Sequence, residues 1–341
     1  MKNKPLPTQL ALAIRGFFAD HLPRVRGMSV HTIHSYRDSL VLLLRFVAFF
    51  RRKDTATLDF DNIGPDEVLA FLGHLEDTRR NAASTRNVRL AAIHAFYRYV
   101  AAQHPDRLEQ CQRILGIPFK RSRSRMVEYL EQEEIHAILS AINRSKPTGR
   151  RDYALIVTMF NTGARVHEVV DVRVNDLQLI KPFQVRLRGK GGKTRMCPLW
   201  PQTASLLRDL CKELASGAEL PETAPVFRNR YGSKISRFGV FYVLQKYIAL
   251  ARVTMPTLAK KRLHPHSMRH STAVHLLKSG VDIVTVSHWL GHASITTTNR
   301  YAAIDLEMKR QALAKMEPLD GFEVAPTWHT DNTIMNWLES L

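Results

Sequence analysis

The chain has 341 residues, enough for two domains at roughly 150 residues each. Lysine and arginine number 50 against 31 aspartates and glutamates, leaving +19 with histidine neutral. Hydrophobic residues at 45% and charged residues at 24% are ordinary folded-protein values, which excludes a disordered basic tail. The cationic excess therefore lies on folded surfaces, where a polyanion, with nucleic acid first, is the natural partner. No segment approaches the ~18 uninterrupted apolar residues of a spanning helix, and the strongest run, from Val41 to Phe50, is broken by Arg45. Thr8, Gln9 and Arg15 interrupt the apolar stretch that follows Lys2 and Lys4, which argues against a secretory leader. Cys111, Cys197 and Cys211 have neither metal-ligand spacing nor the makings of a disulfide framework. The expectation is a cytoplasmic polyanion binder with no membrane contact.

In chain order, Leu10, Ile14 and Phe17/Phe18 repeat at helical spacing. Ser29 or Thr32 would cap a second helix from His31 to Phe50, with Ile33, Tyr36, Leu40, Leu43 and Val47 on one stripe. Gly64-Pro65-Asp66 opens a third, and Ser84 or Thr85 a fourth running through Tyr99. These four amphipathic helices make a small bundle. Arg86, Arg89 and Arg98 lie on or near the fourth helix's polar side, either as a solvated face or as phosphate contacts. Lys120-Arg121-Ser122-Arg123-Ser124-Arg125 has no apolar period and reads as a basic linker, lying along a nucleic-acid backbone or merely exposed. Helical pattern returns from Glu131 to Ile142 and from Arg151 to Asn161. Val185 and Leu187 then alternate with charges around Gly189-Lys190-Gly191-Gly192, a hairpin signature between Phe183 and Leu199. After Pro201 the chain is mainly helical, with Gly280 and Gly291 placed as C-terminal stops.

Two familiar motifs fail on inspection. Gly192-Lys193-Thr194 lacks the P-loop's earlier glycine, since position 187 is leucine, and Pro198 follows where a helix should begin. His266 and His270 at i,i+4 would suit a metal, but Arg269 sits between them and no nearby Cys, Asp or Glu completes a shell. As a phosphate site the same stretch makes sense, because His266 and Arg269 at i,i+3 share a helix face. An arginine fork stays charged and matches phosphate oxygens. Arg165 follows Thr162-Gly163-Ala164, with Glu168 one turn on to orient it, and Lys190 rides the hairpin turn. His292 follows the Gly291 stop, and Tyr301 lies in a helix expected to begin near Ser294.

Arg165, Lys190, His266-x-x-Arg269, His292 and Tyr301, in this order between Leu130 and Tyr301, resemble the catalytic set of the tyrosine recombinases, the phage-integrase family. The helical front domain resembles that family's core-binding domain. Met268 stands where leucine is usual and Cys197 precedes Pro198; neither touches a catalytic role. The resemblance implies a mainly α fold with a small β-hairpin or sheet (α+β), built as a two-domain C-shaped DNA clamp. It implies catalytic Arg165, Lys190, His266, Arg269, His292 and Tyr301, with Glu168 behind Arg165 and no metal or other cofactor. Arg165 and Arg269 would clamp the phosphate, Tyr301 would attack phosphorus, and His266 would take its proton. His292 would bond a phosphate oxygen, and Lys190 would protonate the leaving 5′ oxygen. The expected intermediate is a 3′-phosphotyrosine, resolved by strand exchange through a four-way junction for a mobile element. Candidate DNA contacts are Arg86, Arg89, Lys120, Arg121, Arg123, Arg125, Lys193 and Arg195.

The expected division is a core-binding domain at 1–117, a linker at 118–128, a catalytic domain at 129–316 and a tail at 317–341. In the tail Ile334, Trp337/Leu338 and Leu341 fall on one helix face, to dock on a neighbouring protomer or on its own domain. The partners implied are double-stranded DNA and further copies of the chain, two per site and four in synapsis, with accessory proteins compatible and the nucleoid as location. Two competitors remain at this level: a non-catalytic DNA binder, which has no use for Arg165, Lys190, Arg269 and Tyr301 together, and a topoisomerase-like enzyme that reseals the same strand.

Overall fold

The computed structural model describes residues 6–121, 127–215, 217, 219–292, 294, 297, 298, 301, 310 and 313, without the side chain of Lys190. The chain separates into two compact units, 1–124 and 125–341.

The front unit is helical. Thr8 caps α1 (Gln9–Gly16) by accepting from Ala11 N–H, and the chain runs on into a wider π-helical segment, Phe17–Val25. Ser29 caps α2 (Val30–Arg51), its hydroxyl accepting from Thr32 N–H, as the sequence suggests. α3 (Pro65–Asp77) starts with proline at its first position, and the Glu67 carboxylate returns to accept Gly64 N–H at 2.8 Å. α4 (Ala83–Gln103) is capped at Ala82, two or three residues before the expected Ser84 or Thr85. A fifth helix, α5 (Leu108–Leu115), was not anticipated: it is two turns long and buries only Cys111 and Ile114, too few positions to show a period. Phe17, Leu43, Val47, Phe71, Leu90, Ile93 and Phe96 form the core, each apolar side chain contributing roughly 1.5–3 kcal/mol on burial. The first residues of the expected linker lie on this unit. Asn87 Nδ2 donates to Lys120 O at 2.7 Å, Lys120 N–H donates to Asn87 Oδ1 at 3.0 Å, and Lys120 Nζ meets Glu76 at 2.9 Å. Arg123 and Arg125 fall outside the described residues.

The second unit packs helices around a small sheet: α6 (Gln132–Ser140), α7 (Pro147–Thr162), α8 (Val166–Val170), α9 (Pro201–Ala215), α10 (Arg237–Ala251), α11 (Pro265–Lys278) and α12 (Ile283–Leu290). The strands β1 (Leu177–Gln178), β2 (Gln184–Arg188) and β3 (Thr194–Pro198) are antiparallel in sequence order, with Val185 opposite Cys197 and Leu187 opposite Arg195. Strand alternation turns Val185 and Leu187 into the core, while Arg186 and Arg188 reach Asp176 at 2.8 and 2.7 Å. Leu155 and Met159 of α7, Leu207 of α9, Leu244 and Ile248 of α10 and Met268 of α11 share the main core. A smaller cluster joins Ala273, Val274 and Leu277 of α11 to Val286 and Leu290 of α12. The fold is thus mainly helical with one small sheet. The expected tail helix within 317–341 lies outside the described residues.

Candidate active site

Four helix ends converge on one point. α7 ends at Gly163 in a left-handed conformation (φ 59°), where a Cβ would come within 2.5 Å of Leu290 Cδ2. Arg165 is the residue that opens α8. α12 ends at Gly291, also left-handed (φ 65°), where a Cβ would press on the Arg195 guanidinium at 3.1 Å. The early turns of α11 bring His266, Arg269 and His270.

Arg269 is 3% exposed and donates from Nη1 to Gly163 O at 2.7 Å and from Nη2 to Leu290 O at 2.6 Å. Arg165 donates from Nη2 to Gly291 O at 3.2 Å and from Nη1 to Glu168 Oε1 at 2.9 Å. Both arginines are therefore anchored on main-chain carbonyls, with N–H donors left over for a ligand. Glu168 is buried and central. It accepts Arg165 N–H at 2.8 Å, and Arg195 adds a bidentate pair at 2.9 Å to each oxygen while its Nε donates to Trp289 O at 3.0 Å. Burial alone would raise the Glu168 pKa, but Arg195, and then the N–H and charge of Arg165, hold it down to about 2. Burial and then the charge of Arg165 push the Arg269 guanidinium down to about 9, still protonated at neutral pH. Three guanidiniums thus face one carboxylate. That imbalance favours an anionic ligand.

Tyr301 is 1% exposed, its ring packed in the small α11–α12 cluster and its hydroxyl 2.6 Å from His270 Nδ1. His292 Nδ1 lies 2.7 Å from Thr298 Oγ1, directly after the glycine whose carbonyl holds Arg165. His266 keeps an exposed edge; its pKa is pushed down first by partial desolvation and then by the charges of His264, Arg269 and Arg165. The backbone of Lys190 opens the β2–β3 turn, Lys190–Gly192; its side chain is outside the description. Half of the residues from Ser294 to Tyr301 lie outside it too, but Thr297 N–H donates to Ser294 O and Tyr301 N–H to Thr298 O.

Of the sequence candidates, Arg165, Glu168, Arg269, His292 and Tyr301 come together here. Arg195, expected on a DNA-facing surface, is built into the site instead, bracing Glu168. Sequence reasoning missed this because the partner lies 27 residues away. Arg86 is buried beside Glu76 (3.6 Å), and Arg89 Nη1 donates to Ser39 Oγ at 3.0 Å, so both serve the front unit's own packing. Arg121 and Lys193 are exposed. Unforeseen too is one face of α10, where Arg237, Phe238, Phe241, Tyr242 and Lys246 are all exposed, Phe238 to 84%.

A cationic clamp near a buried tyrosine, in a helical domain that follows a helical bundle, is suited to hold a phosphate group. The phage integrase family model matches residues 128–308, and the model of the phage integrase N-terminal SAM-like domain matches residues 16–104. The protein y4rC of Sinorhizobium fredii (strain NGR234), which carries an integrase/recombinase name, is 37% identical over 97% of this chain and 98% of its own length. Tyrosine recombinase XerC of Roseiflexus sp. (strain RS-1) is 30% identical over 84% of this chain and 88% of its own. The chain belongs to the phage integrase family, the tyrosine recombinases, enzymes that cleave and rejoin DNA. Among solved structures, XerH recombinase in a post-cleavage complex with palindromic difH substrate aligns with a TM-score of 0.65 at 22% identity, covering 85% of this chain and 81% of that one. The Tn1549 transposon integrase bound to transposon right-end DNA aligns at 0.63 and 16% identity, covering 88% and 99%. Both likenesses speak for the fold.

Proposed function

We propose that this chain is a site-specific recombinase of a mobile genetic element, with Tyr301 as the nucleophile that cuts one DNA strand. Attack on a phosphodiester adds negative charge at phosphorus in the transition state. Arg165 and Arg269 receive it on the non-bridging oxygens, preorganised by their carbonyl anchors, and His266 and His292 add donors. Removing one such donor costs roughly 10²–10³ in rate by analogy with oxyanion holes. Lys190 protonates the leaving 5′ oxygen from the hairpin turn. The 3′-phosphotyrosyl bond conserves the phosphodiester's free energy, so the 5′ hydroxyl of a second duplex can displace Tyr301 without ATP. Two protomers would occupy each duplex and four the synapsis. The tail at 317–341 would dock on a neighbour, and the exposed cation–aromatic face of α10 would meet the DNA, where aromatic rings suit thymine methyls.

The observation that carries this reading is the pair of main-chain-anchored guanidiniums set against a single carboxylate beside Tyr301. Nicked duplexes spanning the borders of the gene's own locus, mixed with the chain in EDTA, test it. Wild type should give a denaturation-resistant protein–DNA adduct and Tyr301→Phe none. Binding without an adduct from either protein would leave a DNA-binding protein only. An adduct that survives in Tyr301→Phe would displace the named nucleophile, and relaxed circles without rearranged DNA would favour same-strand resealing.

A further inference from the structure

We propose that His270 is a catalytic residue of this site: its Nδ1, not His266, takes the phenolic proton when Tyr301 attacks. The inference rests on the reading of Tyr301 as the nucleophile. Three observations carry it. The first is distance, since Tyr301 Oη lies 2.6 Å from His270 Nδ1, within the reach a proton acceptor needs. The second is burial. At 1% exposure the tyrosine lies away from bulk water, which favours a neighbouring side chain over solvent as the acceptor of its proton. The third is the place of His266, one helical turn earlier on α11, whose ring centre is 6.5 Å from that of His270 and turned also toward His264 at 6.2 Å.

The hold on the phenol has two parts. Its ring packs against Ala273, Val274 and Leu277 of α11 and Val286 and Leu290 of α12, and its hydroxyl meets α11 again at His270. Ring and hydroxyl are thus fixed by the helices that also carry Arg269 and its Leu290 anchor. A phenol with a pKa near 10 is a poor nucleophile until it loses its proton, whereas imidazole accepts one near neutrality. With its own proton on Nε2, His270 accepts the hydroxyl hydrogen at Nδ1. In the cleavage step the Oη–phosphorus bond forms and the phosphorus–O5′ bond breaks. The phenolic proton passes to His270 Nδ1, and O5′ takes a proton from Lys190. In rejoining, the 5′ hydroxyl attacks phosphorus and gives its proton back to Lys190, the phosphorus–Oη bond breaks, and His270 returns the phenolic proton to Oη.

The test uses the full chain and a nicked duplex carrying the sequence it selects from randomised DNA, with adduct formation followed in a single turnover. His270→Ala and His270→Asn should both slow the adduct by roughly 10²–10⁴-fold, the usual reach of general base catalysis, with DNA affinity unchanged. Asparagine restores a hydrogen-bond acceptor but cannot carry the proton. Installing 3,5-difluorotyrosine at position 301 makes the phenol more acidic, and most of the rate lost in His270→Ala should return. The rate lost in His266→Ala should not. The proposal is overturned if the His270→Ala deficit is the same with both phenols, because the contact is then structural. It is equally overturned if His270→Ala cleaves as fast as wild type or faster, which would make the contact a store for the tyrosine. Fluorine rescue confined to His266→Ala would return the role to that residue. Wild type with no adduct on the selected duplex would instead remove the recombinase reading, and this inference with it.

Discussion

Glu168 touches no substrate in the proposed chemistry, yet three groups depend on it: the Arg165 backbone N–H, the Arg165 guanidinium and the Arg195 guanidinium. Its pKa is depressed in the folded state, from 4.5 to about 2, so the stability it contributes is full above about pH 4.5 and is lost as pH falls through 2. The shift corresponds to about 3 kcal/mol. Glu168→Gln should therefore lower urea stability at pH 7 by about 3 kcal/mol, since it strands two partly buried guanidiniums, and should flatten the loss of stability between pH 4.5 and 2. An unchanged acid limb in the variant would mean that other carboxylates govern it.

The helix ends, rather than the helices, make the site, and Gly163 shows how tightly. Its carbonyl anchors Arg269, its φ is 59°, and a methyl group there would collide with Leu290. Gly163→Ala should cost about 1–3 kcal/mol in thermal or urea unfolding through strain and overpacking. It should also slow cleavage by roughly 10²-fold, the penalty of shifting a catalytic group by about 1 Å. Wild-type kinetics in that variant would show that α7 can adjust without moving the arginine. The same helix ends mark what was readable beforehand. Ser29, Gly64-Pro65, Gly291 and the β2–β3 alternation announced their elements, because caps, stops and strand periods are local. Arg165 and Glu168 were legible as an i,i+3 pair. Arg195 and His270 were not, because each is defined by a partner 27 or 31 residues away that only the fold brings near. The same holds for Arg86, an arginine on a helix that reads as polar surface until Glu76 covers it.

At the scale of the molecule the +19 charge has to be divided between phosphate contact and internal pairing. Arg86, Arg89 and Arg195 are engaged within the protein and Lys120, though exposed, is paired with Glu76, whereas Lys193 and Arg237 stand exposed. If each protomer neutralises roughly 6–10 phosphates, affinity should fall by about 10³–10⁵ between 50 and 200 mM salt. Fluorescence anisotropy across that range measures the slope, and Lys193→Ala should reduce it by about one if that lysine meets a phosphate, whereas Lys120→Ala should leave it nearly unchanged. A salt-independent affinity would remove phosphate contact as the use of the charge.

The two clamp arginines hang from the peptide oxygens of Gly163, Leu290 and Gly291. A peptide oxygen is present whatever side chain its residue carries. The clamp is therefore insulated from side-chain changes on the exterior, and if α10 and the hairpin meet the DNA as proposed, retargeting the enzyme to a new site becomes a problem of repainting those two elements. The reaction centre can be left as it is.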